Sequence, residues 1–158
     1  MLNAAQLLAL KNDIIANPTY DAMRLIGQDT ELCDIYNAVT ATIVWRSEVS
    51  QDTIMQNGFD WTRVDNLSVG KARIWEWMFD NANKIINPSK ANVRAGIDAV
   101  WVGTTADLAV RAVVYTHCKR AATKLEKLFA TGTGTDAIPA LLGVEGFIGV
   151  NEMSTTRN

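Results

Sequence analysis

The stretch Thr105–Ala130, TADLAVRAVVYTHCKRAATKLEKLFA, decides how the rest of the chain is read. No glycine or proline interrupts it, and Leu108, Tyr115, Cys118, Ala122, Leu125 and Phe129 fall near a heptad seam. The spacing predicts one long helix over 105–130. Thr104, followed three residues later by Asp107, forms an approximate capping box at its start, with Asp in place of Glu. Val110, Val113 and Val114 make the first half apolar nearly all round, so that half reads as a buried spine. The second half reads as amphipathic and basic. The fold class that follows is mainly α, a helical bundle built around this long helix in the C-terminal half.

Upstream, shorter helices lead to the spine. Asn3 suits an N-cap for a helix over 4–16, with Leu7, Leu8, Ile14 and Ile15 on one face and Pro18 as its stop. Thr19 reads as the cap of a second helix over 20–26, with Gly27 closing it. Asp29 or Thr30 starts a third, with Leu32, Ile35 and Tyr36 inward. Ser50 caps a short helix that ends by Gly58. Ser68 begins a stronger one reaching about Lys84, and Trp75 and Trp77 on it cannot share a face, so it must meet apolar surface on two sides. Ser89 reads as the cap of a helix over 90–102, with Val93, Ile97, Val100 and Trp101 on one stripe. Val39–Arg46, VTATIVWR, is the one clear β-leaning stretch.

Downstream, Thr131–Asn158, TGTGTDAIPALLGVEGFIGVNEMSTTRN, breaks with everything before it. It holds five of the ten glycines and Pro139, which disfavour helix. Its apolar residues Ile138, Leu141, Leu142, Val144, Phe147, Ile148 and Val150 need a cover that a short extended segment cannot supply for itself. The expected organisation is a helical domain over 1–130 and a flexible or extended arm over 131–158. The arm is the obvious strand partner for 39–46, or else it docks on a neighbouring copy. Its removal is expected to leave a folded helical monomer that no longer assembles.

Composition sets the class. The chain has 158 residues and 17.3 kDa, with 48% hydrophobic and 20% charged residues, which is ordinary globular usage. No apolar run approaches the roughly 20 residues that span a bilayer, and the N-terminal stretch reads as an amphipathic helix rather than a signal peptide. Residues 1–88 carry seven basic and eleven acidic groups, whereas 89–127 carry seven basic and three acidic. Opposed charge of this kind suits head-to-tail contact between copies, and reads equally as plain surface charge. Cys33 and Cys118 read as reduced, buried residues.

Catalytic chemistry has few carriers. His117 is the only histidine, and beside Cys118 on a helix it points about 100° away, so the two neither grip a metal nor form a nucleophile–base pair. Ala130–Asp136, ATGTGTD, lacks the Lys-Ser/Thr of a phosphate loop and follows a helix. The carboxylates are scattered, many at helix starts, where capping accounts for them. The expectation is a protein that is not an enzyme and has no catalytic residue, cofactor or metal. Lys119, Arg120, Lys124 and Lys127 form a basic patch, either a solvated helix end or a face for phosphates or an acidic neighbour. Trp45, Trp61, Trp75, Trp77 and Trp101 are many for a core of this size, and the surplus reads as interface anchors, or equally as further core and rim.

The phrases NGFDWTRVDNLSVGKARIWEWMF (57–79), INPSKANVRAGIDAVWVG (86–103) and HCKRAATKLEKLFATGTG (117–134) resemble small structural proteins of tailed-bacteriophage morphogenesis modules, in the head-to-tail connector or neck group. The resemblance implies a helical adaptor-type virion subunit, made in the host cytoplasm. Such a subunit forms a homo-oligomeric ring, commonly twelvefold, beneath the portal protein at the capsid vertex. A C-terminal arm reaches onto a neighbour, and a tail or stopper protein lies beyond, with DNA passing non-specifically through the channel and no membrane partner. The group shares no motif that transfers residue by residue. The alternative is a small helical DNA-binding or packaging accessory protein using the same basic patch.

Overall fold

A computed structural model gives the positions of residues 2–56 and 58–157. Met1, Asn57 and Asn158, which open the N-terminal amphipathic stretch, open the first connector-like phrase and end the expected arm, lie outside the described residues. The described chain is mainly helical with two small two-stranded sheets. Its elements are α1 (Ala4–Ala16), α2 (Pro18–Leu25), α3 (Asp29–Asn37), β1 (Val39–Trp45), β2 (Val49–Ser50), α4 (Gln51–Met55), α5 (Thr62–Asp65) and α6 (Val69–Met78). There follow β3 (Ile85–Ile86), α7 (Ala91–Val100), α8 (Thr105–Cys118), β4 (Lys119–Thr123), α9 (Lys124–Phe129), α10 (Val150–Ser154) and a closing 3-10 turn (Thr155–Arg157).

The expected helix over 105–130 is broken. It starts where its capping box predicts, with Thr104 accepting from the Asp107 amide and Asp107 accepting from the Thr104 amide. At Lys119 the backbone turns extended (φ −118°, ψ 157°), and the next residues form β4 beside β1. The strand ends pair crosswise, Lys124 N–H to Ala38 C=O at 2.9 Å and Arg46 N–H to Cys118 C=O at 2.9 Å, so the pair runs antiparallel. Helix then restarts at a second capping box: Thr123 Oγ1 accepts from the Glu126 amide at 3.2 Å, and Glu126 Oε2 accepts from the Thr123 amide at 2.9 Å. KRAAT is not a poor helix former. What overrides it is β1, whose backbone groups need a partner.

The chain folds into two compact units, one comprising Met1–Ile43 with Ala121–Asn158, the other Val44–Arg120. The expected boundary at residue 130 is therefore not the one the packing draws. In the first unit Leu10 and Ile14 of α1 and Leu32, Cys33 and Tyr36 of α3 close on Leu125 of α9, with Ile148 and Met153 completing the core. The glycine-rich segment is thus part of a folded unit. Its removal would open that core rather than leave a finished monomer. It also touches β1 as a minor partner, through Ile43 N–H to Gly134 C=O at 2.8 Å and Ala140 N–H to Ile43 C=O at 2.9 Å. Gly134 lies at φ 72°, and a Cβ there would meet Thr42 Cγ2 at 2.6 Å, so only glycine fits.

In the second unit Trp75 of α6 and Phe79 just after it, Ile97 and Val100 of α7 and Trp101 just after it, and Val110 and Val114 of α8 form the core with Ile54 and Phe59. Ser50 and Ser68 cap α4 and α6 as expected. The helix expected to reach Lys84 stops at Met78. Asn81 closes the turn, its side chain donating to Ile85 C=O at 2.8 Å and accepting from Ile85 N–H at 3.1 Å. That presents β3 to β2, with Val49 opposite Ile86 and Ser50 opposite Ile85, antiparallel. Two other caps differ from expectation. Asn17, not Thr19, caps α2, with Pro18 at the first helical position. Ser89 does not cap α7; its amide is held by Asn87 Oδ1 at 3.0 Å.

Candidate functional site

Several of the groups that could carry chemistry are engaged in structure. Asp107, besides capping α8, meets Arg63 at 2.6 Å. That guanidinium and the Thr104 amide and hydroxyl hold its carboxyl down to about 2. Burial pushes the Cys118 thiol up to about 12 and also raises Cys33, so neither is a ready nucleophile. Both thiols are free and buried, in different units. Burial and the hydrogen bond to Asp13 raise Tyr36. Among the described residues no group of three or more His, Cys, Asp or Glu is placed to hold a metal. No helix there is long and apolar enough to cross a membrane.

The basic patch is not one face of one helix. Lys119 and Arg120 lie in β4 in the second unit, while Lys124 and Lys127 lie on α9 in the first. The Lys124 ammonium sits over the Tyr20 ring at 4.0 Å and the Tyr36 ring at 4.6 Å, a pair of cation–π contacts that ties it to α2 and α3. Lys127 is exposed. The helical spacing expected to set 120, 124 and 127 on one stripe does not apply, because Lys119–Thr123 is strand.

The arm residues divide. Ile148 is 3% exposed, and the Asn37 side chain clamps its backbone, donating to Ile148 C=O and accepting from Ile148 N–H, both at 2.9 Å. Glu126, buried at the start of α9, accepts from Gly146 N–H at 3.0 Å. Arg157 pairs with Asp29 at 2.6 Å, and Arg24 donates to the carbonyls of Thr156 and Arg157. Val144 packs against the core and Leu142 is half-buried. Ile138, Leu141 and Val150 are exposed, as is Phe147 at 76%. The segment is tied down at several points yet keeps apolar side chains outside.

The tryptophans divide more sharply. Trp75 and Trp101 are interior, edge-on to one another with centroids 5.3 Å apart, and Phe59 stacks on Trp75 at 6.1 Å. As interface anchors they are ruled out by their own packing. Trp45 is half-buried, edge-on to Tyr115 at 5.5 Å and covered by the Arg94 guanidinium at 5.0 Å. Trp61 and Trp77 remain outside, 57% and 66% exposed. The two-sided helix expected from Trp75 and Trp77 is thus covered on the Trp75 side and bare on the other.

That bare side borders a groove wholly within Val44–Arg120. One shallow hollow of about 410 Å³ is lined by Gln51, Glu76, Trp77, Phe79, Asp80 and Lys84. A second of about 430 Å³ is lined by Gln51, Asp52, Met55, Gln56 and Trp61. Gln51 walls both, and its amide donates to Lys84 C=O at 2.9 Å. Lys84 adopts φ 48°, a left-handed conformation uncommon outside glycine and asparagine. One hollow thus carries the Trp77 indole with the carboxylates of Glu76 and Asp80, the other the Trp61 indole with that of Asp52. Exposed indoles beside carboxylates are the kind of side chain found at protein–protein contacts. Sequence reasoning reached the two indoles but missed the rim. Glu76 and Asp80, four apart around Trp77, were a readable signal, whereas the approach of Gln51 and Asp52 depends on the β2–β3 pairing. Compared with family models, curated proteins and solved structures, the chain matches none.

Proposed function

We propose that this chain is a non-enzymatic assembly subunit, a ring-forming adaptor that joins the capsid portal vertex of a tailed bacteriophage to its tail. The observation that carries the reading is the exposure of Trp61 and Trp77, and separately of Phe147, in a chain whose other aromatic residues have found cover. Indoles are enriched among the residues that anchor protein–protein contacts. The connector resemblance supplies the kind of assembly: a helical bundle subunit, repeated in a ring that is commonly twelvefold, between the portal protein and a tail or stopper protein in the virion.

The DNA-binding or packaging alternative draws less support. Its patch is divided between β4 and α9, and Lys124 already sits over two tyrosine rings. Non-specific passage of DNA through the ring remains part of the connector reading, and steep weakening of duplex binding with salt would measure it.

The test is genetic and visual. Portal and major capsid genes should flank this one, and particles made without it should be filled heads lacking tails under the electron microscope. Particles that join tails normally in its absence would overturn the proposal. Phe147→Ser should leave a folded chain and reduce joining, since the side chain contributes little to its own unit.

A further inference from the structure

We propose that the groove between Trp61 and Trp77 binds an arginine-bearing peptide segment of a partner protein. This names the partner chemistry of the docking surface described above and rests on reading that surface as a docking face.

Charge selects the occupant. Among the described lining residues, Asp52, Glu76 and Asp80 are acidic, and Lys84 is the one cation. Three carboxylates around two indoles repel phosphate, which argues against nucleic acid and anionic lipid at this face. They also argue against the C-terminal segment of a second copy, since residues 131–158 carry Asp136, Glu145 and Glu152 against a single Arg157. A cationic segment is what remains, and the aromatic ends distinguish its type. A guanidinium is planar and weakly hydrated, stacks on an indole and forks onto a carboxylate; an ammonium does neither as well. Trp77 already takes a guanidinium from its own chain, with Arg73 5.9 Å from the ring centroid. An indole has two faces, and Glu76 and Asp80 flank Trp77 in the same hollow.

Lys84 fits the same scheme. A lysine held at φ 48° could be replaced by glycine with relief of backbone strain. Its side chain lines the same hollow as Glu76 and Asp80. An arriving guanidinium meets those carboxylates against the repulsion of Lys84.

The experiment uses the full chain and tryptophan fluorescence. It is titrated with a short end-capped peptide alternating arginine and leucine, and with its lysine and glutamate counterparts. The arginine peptide should bind and perturb the emission, more tightly than the lysine peptide and at least about tenfold more tightly than the glutamate peptide. Trp77→Ala, and separately Glu76→Gln with Asp80→Asn, should weaken it about tenfold, with an unchanged circular dichroism spectrum because these side chains are exposed. Lys84→Gly should tighten it by a few fold. Equal affinity for the arginine and glutamate peptides, no binding of either, or an unchanged affinity in Trp77→Ala each overturns the inference. A failed titration alongside tailless particles removes this inference and leaves the connector reading. A successful titration with tails joined normally does the reverse.

Discussion

Glu126 decides whether the C-terminal segment belongs to the first unit, and its replacement tests that packing directly. Its carboxylate is 1% exposed and accepts two backbone N–H groups, from Thr123 at 2.9 Å and from Gly146 at 3.0 Å. One bond starts α9 after β4, and the other holds the turn that delivers Ile148 to the core. A hydrogen bond to a charged group contributes ~1.5–3 kcal/mol, and a buried amide left without an acceptor costs ~1–3 kcal/mol. Glu126→Ala removes both bonds and strands both donors, for an expected loss of ~3–5 kcal/mol. In a chain of this length that lowers Tm by about 6–20 °C. Glu126→Gln keeps one acceptor oxygen but turns an amide nitrogen toward the other donor, so it should fall between, at ~1–2 kcal/mol. The two units report separately, because all five tryptophans lie in Val44–Arg120. Calorimetry gives the total, while hydrogen exchange at the Gly146 and Ile148 amides should accelerate markedly. If Glu126→Ala melts within a degree or two of the parent and those amides stay protected, the docking of the segment through Glu126 is wrong.

Three further outcomes follow from the geometry. Asp107 is lowered to about 2 from 3.8, so the stability it adds is fully present above about pH 4 and is lost as pH falls toward 2. Arg63→Gln should move that loss to higher pH, as read by acid-unfolding curves and carboxyl NMR titration. Gly143→Ala would place its Cβ 2.5 Å from the Phe129 carbonyl oxygen and should cost ~1–3 kcal/mol, whereas Gly149→Ala meets nothing within 4 Å and should be near neutral in denaturant titration. Trp101→Ala, which empties a fully buried site, should cost ~3–5 kcal/mol; Trp77→Ala should cost under ~0.5 kcal/mol.

Much of the local structure was legible because it is decided within a few residues. Asn3, Ser50, Ser68 and Thr104 announce helix starts through side chains that satisfy exposed amides. Val39–Trp45 declares a strand through β-branching. The restart at Thr123 was legible too: Thr123 and Glu126 stand at capping-box spacing, but a continuous apolar seam obscured them. The site was half legible, since Trp75 and Trp77 cannot share one face of a helix and must point in different directions.

The sequence alone determined the helical character, most of the caps and the surplus of indoles, because each follows from side chains acting on their own backbone or on total composition. Only the tertiary structure decided that Lys119–Thr123 is strand rather than helix, since the unpaired edge of β1 lies some eighty residues away and no local preference encodes it. It decided likewise that Ile148 and Met153 finish the core of Met1–Ile43, and that Trp101 is sealed while Trp77 is bare. Burial is a property of what arrives from elsewhere in the chain, and an apolar residue carries no mark of whether its cover is its own fold or a partner.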